Sequence, residues 1–340
     1  MNTRRKRLVL VLIIAAVAVA SAVLFFVLRS RRDVPSHLTV TVAWNLHSTA
    51  DDLVRALAPG IDTQLTIQNI PGANGARGLN AVYAAHDGEH LLSTSLSAFV
   101  TAEAMGFGES PRQNWTGWLC AFAPAIVAVA ADAPFATLDD LAAALRQAPG
   151  ALHAANSGFG TISFTAAELF RTKTALEFEH ISHAGGSPAI HALLNGDADF
   201  AMLTSTEIAH ALRRGEIRAL AAFSESAFTL WDGDREITIP SVAGLNGNLG
   251  NLLPFGEFYG IFIPANAPQD RLNGIESQMQ AAATSETFVT FLRERGLAPF
   301  TPNRTRNAGY IENFCNYVCK TLQNAGFLPV NIALVLPYTR

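Results

Sequence analysis

Apolar and polar positions follow two rhythms along this chain, and they alternate. Leu38 to Val42 alternates apolar and polar residues, the period-two signature of a half-buried strand, and Asp51 to Ala58 then carries apolar residues at helical spacing. The pair recurs as a strand at Leu65 to Asn69, a helix at Leu79 to Ala85 and a strand at Leu91 to Thr94. Ala104 to Gly117 collects Gly, Pro and Asn and reads as a loop, whereas Trp118 to Ala131 is apolar throughout and predicts a buried strand passing between two domains. Thr137 is a good N-cap for a helix at Leu138 to Gln147, with Asp139 and Asp140 in its first turn and Pro149-Gly150 as its stop.

A second series follows: strands at Leu152 to Ala155, Phe178 to His180, Ala198 to Leu203 and Ile217 to Ser224. Helices at Ser163 to Thr172, Pro188 to Asn195 and Ile208 to Arg214 lie between them. Pro240 to Gly256 reads as a long return loop and Phe258 to Ile263 as a second crossing strand. Helices at Pro268 to Thr284, Thr287 to Arg295 and Asn307 to Ala325 bring the chain back to the first domain. Strand, loop and helix in repetition make an α/β fold in which loop backbone faces a small ligand.

Length and charge refine this picture. The 340 residues suffice for two ordinary domains. Leu8 to Leu28 is an uncharged, strongly apolar run, long enough at about 1.5 Å per residue to span a bilayer core. Arg4 to Arg7 precede it and Arg29, Arg31 and Arg32 follow. Ala20-Ser21-Ala22 offers a cleavage site, but the apolar run continues past it, so an uncleaved anchor in a bacterial inner membrane is expected, with a periplasmic ectodomain; a cleaved, soluble periplasmic form is the alternative. The expected division is 1–35 for tip, anchor and tether, 36–130 with 262–330 for one domain, and 131–261 for the other.

Of 24 Lys plus Arg, seven lie in residues 1–32, which hold no Asp or Glu; the remaining 17 face 28 acidic residues. That acidic balance excludes nucleic acid as a partner, since phosphate neutralisation dominates such binding. A solute anion remains possible, because N–H groups at helix starts hold anions without net positive charge. Cys120, Cys315 and Cys319 form no disulfide framework: the last two are four apart on a helix, and Cys120 lies in an apolar run.

Several segments together resemble a known family. They are Asp51 to Ala58, Asn69-Ile70-Pro71-Gly72-Ala73-Asn74-Gly75, His86-Asp87-Gly88, Ser157-Gly158-Phe159-Gly160-Thr161, Glu168-Leu169-Phe170, Leu193 to Asp199, and Gly215 to Leu220. Their order and spacing from about Leu38 to about Gly326 resemble the receptors of tripartite tricarboxylate transporters, also called Bordetella uptake-type (Bug) solute receptors. The resemblance implies a type II periplasmic-binding-protein fold, two α/β domains joined by two crossing strands and closing on a small organic acid. It implies membrane permease subunits as partners, or a membrane sensor in an alternative reading, with no cofactor and no catalysis. The ligand would sit between the loop after the first strand and the loop opening the second domain, where N–H groups of two helix starts converge.

The implied binding residues are Trp44, Asn45, His47, Ser48 and Thr49 on one wall and Asn156, Ser157, Gly158, Gly160 and Thr161 on the other. Ser95, His183, Gly185 and Thr204 complete the set. The first loop departs from the family, with His47 and Ser48 where a Gly-Gly pair is usual. His183 replaces an aromatic, and Leu203 and Thr204 replace acidic and amide positions, so the ligand's identity is not inherited. Two rivals remain: a zinc site from His180 and His183 with His47, and a serine hydrolase at Ser157, which lacks the G-x-S-x-G elbow.

Overall fold

In the computed structural model, which describes residues 34–324 except 86, 105 and 246–248, together with 21 and 326, the first strand is β1 (His37–Val42). Leu38, Val40 and Val42 are buried, as the alternation requires. α1 (Thr49–Leu57), β2 (Gln64–Asn69), α2 (Ala76–Ala85) and β3 (His90–Ser95) follow, and β1 lies between β2 and β3, parallel to both. Parallel neighbours need crossover helices, which α1 and α2 supply. α3 (Leu96–Ala104) leaves β3 with no intervening turn, and β4 (Trp115–Ala130) then runs for 16 residues, buried from Gly117 to Val129.

The second series comprises α4 (Leu138–Gln147), β5 (His153–Asn156), α5 (Ile162–Thr174), β6 (Glu179–Ser182), α6 (Gly186–Asn195), β7 (Phe200–Thr204), α7 (Ser205–Arg213) and β8 (Ile217–Ala222). Thr137 and Asp140 close a capping box on α4, so the N-terminal signal read from sequence is present in atomic detail. A hairpin follows, β9 (Phe228–Asp232) and β10 (Arg235–Ile239), and then β11 (Gly256–Pro264). The chain ends its described course with α8 (Gln269–Ala283), α9 (Glu286–Arg295), the short β12 (Ala298–Pro299) and α10 (Arg304–Asn324).

β4 belongs to two sheets at once. Its first part, Trp115 to Pro124, pairs antiparallel with β11, which pairs antiparallel with β3, giving the order β2-β1-β3-β11-β4. Its second part, Ala125 to Ala130, pairs with β7 and β8, and β7 continues through β5 to β6. This is a two-domain α/β fold in which one strand serves both domains. α10 seals the join: Asn307, wholly buried, accepts the Leu119 N–H at 2.9 Å, and Phe314 packs edge-on to Phe258, whose ring stacks on Phe122 at 4.6 Å.

Among the described residues, no helix is long and apolar enough to cross a membrane. The expected inner-membrane anchor is corrected on that finding. α10 has the length, with 21 residues, but Arg304, Arg306, Glu312 and Lys320 make it a surface helix. The run Leu8 to Leu28 lies outside the described residues apart from Ser21. Two elements depart from the pattern expected of the sequence. The β9–β10 hairpin turns at Gly233-Asp234, a two-residue hairpin signal inside a stretch without a predicted strand, and α3 starts from β3 with no Gly or Pro between them.

Gly256 sits where β11 approaches β4 at the domain join, and a Cβ there would lie 2.1 Å from the Ala123 carbonyl oxygen and 2.7 Å from Pro124 Cα. Both are backbone atoms and cannot turn away. Gly256→Ala is expected to lower unfolding stability by about 3 kcal/mol. Gly250→Ala, with nothing within 4 Å of its Cβ, should stay within about 0.5 kcal/mol in the same urea titration.

Candidate functional site

Four strand-to-helix junctions meet where the two sheets share β4, the first of them the loop 43–48 that joins β1 to α1, whose first residue Thr49 lines the cleft. α3 starts directly from β3, α5 follows β5 through the loop Asn156–Thr161, and α7 follows β7. Ligand crevices of α/β sheets lie outside the carboxyl ends of the strands, and each junction brings a helix N-terminus there. Between them opens a cavity of about 620 Å³. Trp44, Thr49, Asn74, Ser97 and Ala98 form one wall, and Ser157, Phe159 to Ser163, Thr204, Thr206 and Glu207 form the other. Glu257 and Tyr259 on β11, with Leu322 on α10, close the rest.

Of the residues singled out from sequence, Trp44, Thr49, Ser157, Gly160, Thr161 and Thr204 line this cavity. The Trp44 indole N–H is tied to Thr94 Oγ1 at 3.0 Å, which fixes the ring as wall. Thr161 caps α5: its Oγ1 accepts the Phe164 N–H, donates to Gly158 O at 2.7 Å and accepts from Ser157 Oγ.

The others frame the cavity without lining it. Asn45 and His47 are exposed, and His47 takes a left-handed φ of 64°. Ser48 caps α1 by accepting the Asp51 N–H. Ser95 is buried, with its hydroxyl 3.1 Å from that of Ser97. Asn156 is fully buried and shapes the loop, its Oδ1 accepting the Gly158 N–H and the Ser182 hydroxyl. Gly158, at φ +117°, meets the His183 carbonyl 2.7 Å from where a Cβ would stand. The close approach its lack of a side chain permits is therefore to protein backbone. The Gly185 N–H donates to Ser157 O.

Sequence reasoning passed over the two acids of the cavity. Glu257 sits at the start of α3: Ser97 N–H donates to its Oε1 at 3.1 Å and Ser97 Oγ to its Oε2 at 2.5 Å. Burial pushes its carboxyl up to about 7; the Ser97 bonds oppose the rise and the charge of Glu207 adds to it. Glu207 holds the start of α7, its Oε2 accepting from Thr204 N–H, Thr204 Oγ1 and Ser163 Oγ. Burial, and next the charge of Glu257, raises the Tyr259 phenol. The signal for Glu257 was an acid in Gly256-Glu257-Phe258-Tyr259-Gly260, at the mouth of an otherwise apolar crossing strand.

The rival sites dissolve into structural roles. His47, Asp51 and Asp52 bring ligand atoms within 4.8 Å of one another. However, Asp51 accepts from Arg55, Asn69 and the His47 N–H, and Asp52 pairs with Arg295. Burial raises the Asp51 carboxyl, and those bonds outweigh it and hold the group below the ordinary range. His180 Nε2 lies 2.7 Å from Glu168 Oε1, and that hydrogen bond together with Arg171 pulls the Glu168 carboxyl down to about 2 against the effect of burial. Among the described residues no histidine lines the cavity to serve Ser157 as a base.

Residues 53–327 match the family described as the tripartite tricarboxylate transporter family receptor. A UPF0065 protein of Bordetella pertussis is 24% identical over 276 residues, covering 80% of this chain and 83% of its own. A TctC solute binding protein from Polaromonas, solved without ligand, superposes with a TM-score of 0.73 at 21% identity, over 85% of this chain and 98% of that one. The Rpa4515 protein of R. palustris, solved with adipate, gives a TM-score of 0.62 at 20% identity, over 87% and 99%. At these identities the likeness to solved structures is one of fold.

The raised Glu257 carboxyl has a consequence for stability. Below pH 4.5 the group is protonated in both states and its contribution is fully present. Between 4.5 and about 7 the unfolded chain releases the proton while the folded chain keeps it, so stability falls as pH rises. The fall amounts to about 3 kcal/mol over that window at ~1.4 kcal/mol per pKa unit. Urea titrations at pH 4.5 and 7.5 should show wild type losing this much more than Glu257→Gln; parallel losses would contradict the assignment.

Proposed function

Because this chain belongs to the tripartite tricarboxylate transporter receptor family, we propose that its cleft binds a small carboxylate and delivers it to membrane permease subunits. The observation that carries this reading is the start of α5 at the cavity wall. Ile162 and Ser163 line the cavity, and the first N–H groups of a helix have no partner within it. A carboxylate placed there gains hydrogen bonds and the favourable end of a 13-residue helix. Ser157, Thr161, Thr204 and Thr49 add hydroxyls around it, and Trp44 gives the carbon skeleton an apolar wall. Adipate, the acid held by the R. palustris neighbour, is of the same class. The role is one of capture and release: two domains share one strand and close over the solute by a hinge motion.

Proline at the first helical position removes an N–H while keeping the helix, provided the preceding residue is extended, and Thr161 is, at φ −78° and ψ 162°. Ile162→Pro and Ile162→Ala both lose the buried side chain, but only the first loses the N–H. In calorimetric titration with mono-, di- and tricarboxylates, Ile162→Pro should bind the best ligand about tenfold or more weakly than Ile162→Ala, the worth of a hydrogen bond to a charged group. His47→Ala should leave affinity unchanged. Equal affinities for the two Ile162 variants would remove the start of α5 from the site, and no binding by any carboxylate would refute the receptor reading.

A further inference from the structure

A second cavity, of about 230 Å³, opens at the end of the first domain away from the cleft, between the turn that leads into β4 and the first turns of α10. It lies roughly 20 Å from the cleft, whether counted along β11 from Pro264 to Glu257 or along α10 from Ala308 to Leu322. Arg112 and Arg304 border it. The Arg112 side chain is half-buried and makes no hydrogen bond or ion pair among the described residues. Beside it the Trp115 indole N–H is buried without an acceptor, and so is the Nε–H of Arg304. The acid nearest Arg304 is Glu276, whose Oε2 is 3.5 Å from that Nε but already accepts from Trp118 Nε1 and from the Arg304 backbone N–H. Glu312 borders the cavity from the exposed side of α10 and pairs with neither arginine. Buried donors without acceptors are costly, and this chain has acids to spare, 28 against 17 basic residues beyond residue 32.

Each of these donors is held from behind. The turn that carries Arg112 is pinned through Asn114, whose Nδ2 donates to the Tyr83 hydroxyl at 3.0 Å and whose carbonyl accepts the Ala265 N–H at 2.7 Å. The Trp115 ring packs edge-on to Phe99 with centroids 5.5 Å apart, and Arg304 Nη2 donates to Asn273 Oδ1 at 3.2 Å. Guanidinium forks match the oxygens of carboxylates and phosphates, and an indole N–H only donates. We propose that this cavity is a second binding site, for a small oxyanion, a carboxylate or a phosphate, held by Arg112, Arg304 and the Trp115 indole N–H. The Thr116 hydroxyl borders the same space. The site stands apart from the cleft, and neither reading depends on the other.

Nitrogen-15 labelling of the tryptophans in the full chain separates the two regions by their indole N–H signals. Trp44 lies in the cleft, Trp118 is bonded to Glu276, and Trp115 borders this cavity; Trp115→Phe identifies the last signal. The labelled chain is titrated with sodium phosphate and separately with sodium acetate, at an ionic strength held constant with chloride. At least one anion should move the Trp115 signal along a saturating curve, and the one that saturates at lower concentration tells phosphate from carboxylate. Arg112→Gln should weaken that binding about tenfold, the worth of a charge-assisted hydrogen bond, and Glu312→Gln should tighten it. A Trp115 signal that stays still with both anions, drifts without saturating, or responds equally in Arg112→Gln overturns the site. Movement of the Trp44 signal alone overturns it too and leaves the cleft reading standing. Because the wild-type titration can refute the site by itself, a variant that fails to fold leaves the outcome decidable.

Discussion

Backbone pairing along β4 is the constraint from which the rest of the molecule follows. A strand with sheet partners on both edges must satisfy its N–H and C=O groups along its whole length. β4 does so by changing partners midway, from β11 to β7 and β8. The change falls at Pro124 and Ala125, where the chain passes from one hydrogen-bonding neighbourhood to the next; the Ala125 N–H is taken up by Phe255 O. Because every residue from Gly117 to Val129 is buried, the strand reads in sequence as one apolar run. The cleft exists because two sheets sharing one strand leave a gap at the carboxyl ends of β3, β5 and β7, each of which leads into a helix.

Helix N-termini supply the chemistry of that gap, and the chain's own acids stand at several of them. Glu257 sits at the start of α3, reaching across from β11, and Glu207 caps α7 from within. α5 begins with a hydroxyl cap, Thr161, and Glu207 also accepts the Ser163 hydroxyl in that helix's first turn. A protein that sets its own acids at these helix starts gives the cleft a negative character, which the Tyr259 phenol, raised by burial and by the charges of both glutamates, registers.

The fold was legible in the sequence wherever periodicity had punctuation. Thr137 with Pro149-Gly150 bracketed α4 to the residue, and strand–loop–helix repetition gave both sheets. α3 was missed because Ser95, a residue of N-cap type, closes the strand it ends and leads into the helix with no Gly or Pro to separate them. Of the cleft, the loop walls around Trp44 and Ser157 to Thr161 were found, since loops that precede helices are local features. His47, Ser48 and Asn156 were equally conspicuous but commit their polar atoms to turns and caps. The glutamates were missed for the opposite reason. Glu257 meets Ser97 across 160 residues, and no local pattern announces a contact at that distance.

That separation also shapes how the molecule comes into being. Between Trp115 and Gly256 the chain makes the whole of the second sheet before it returns. During synthesis, β7 and β8 can pair with the far half of β4 as soon as they emerge, with β5 and β6 joining through β7, whereas β3 and the near half of β4 must wait for β11 to fill the place between them. Long-range pairings of this kind form late, and an open strand edge in the interim is exposed to wrong partners. The first domain to begin is therefore the last to finish.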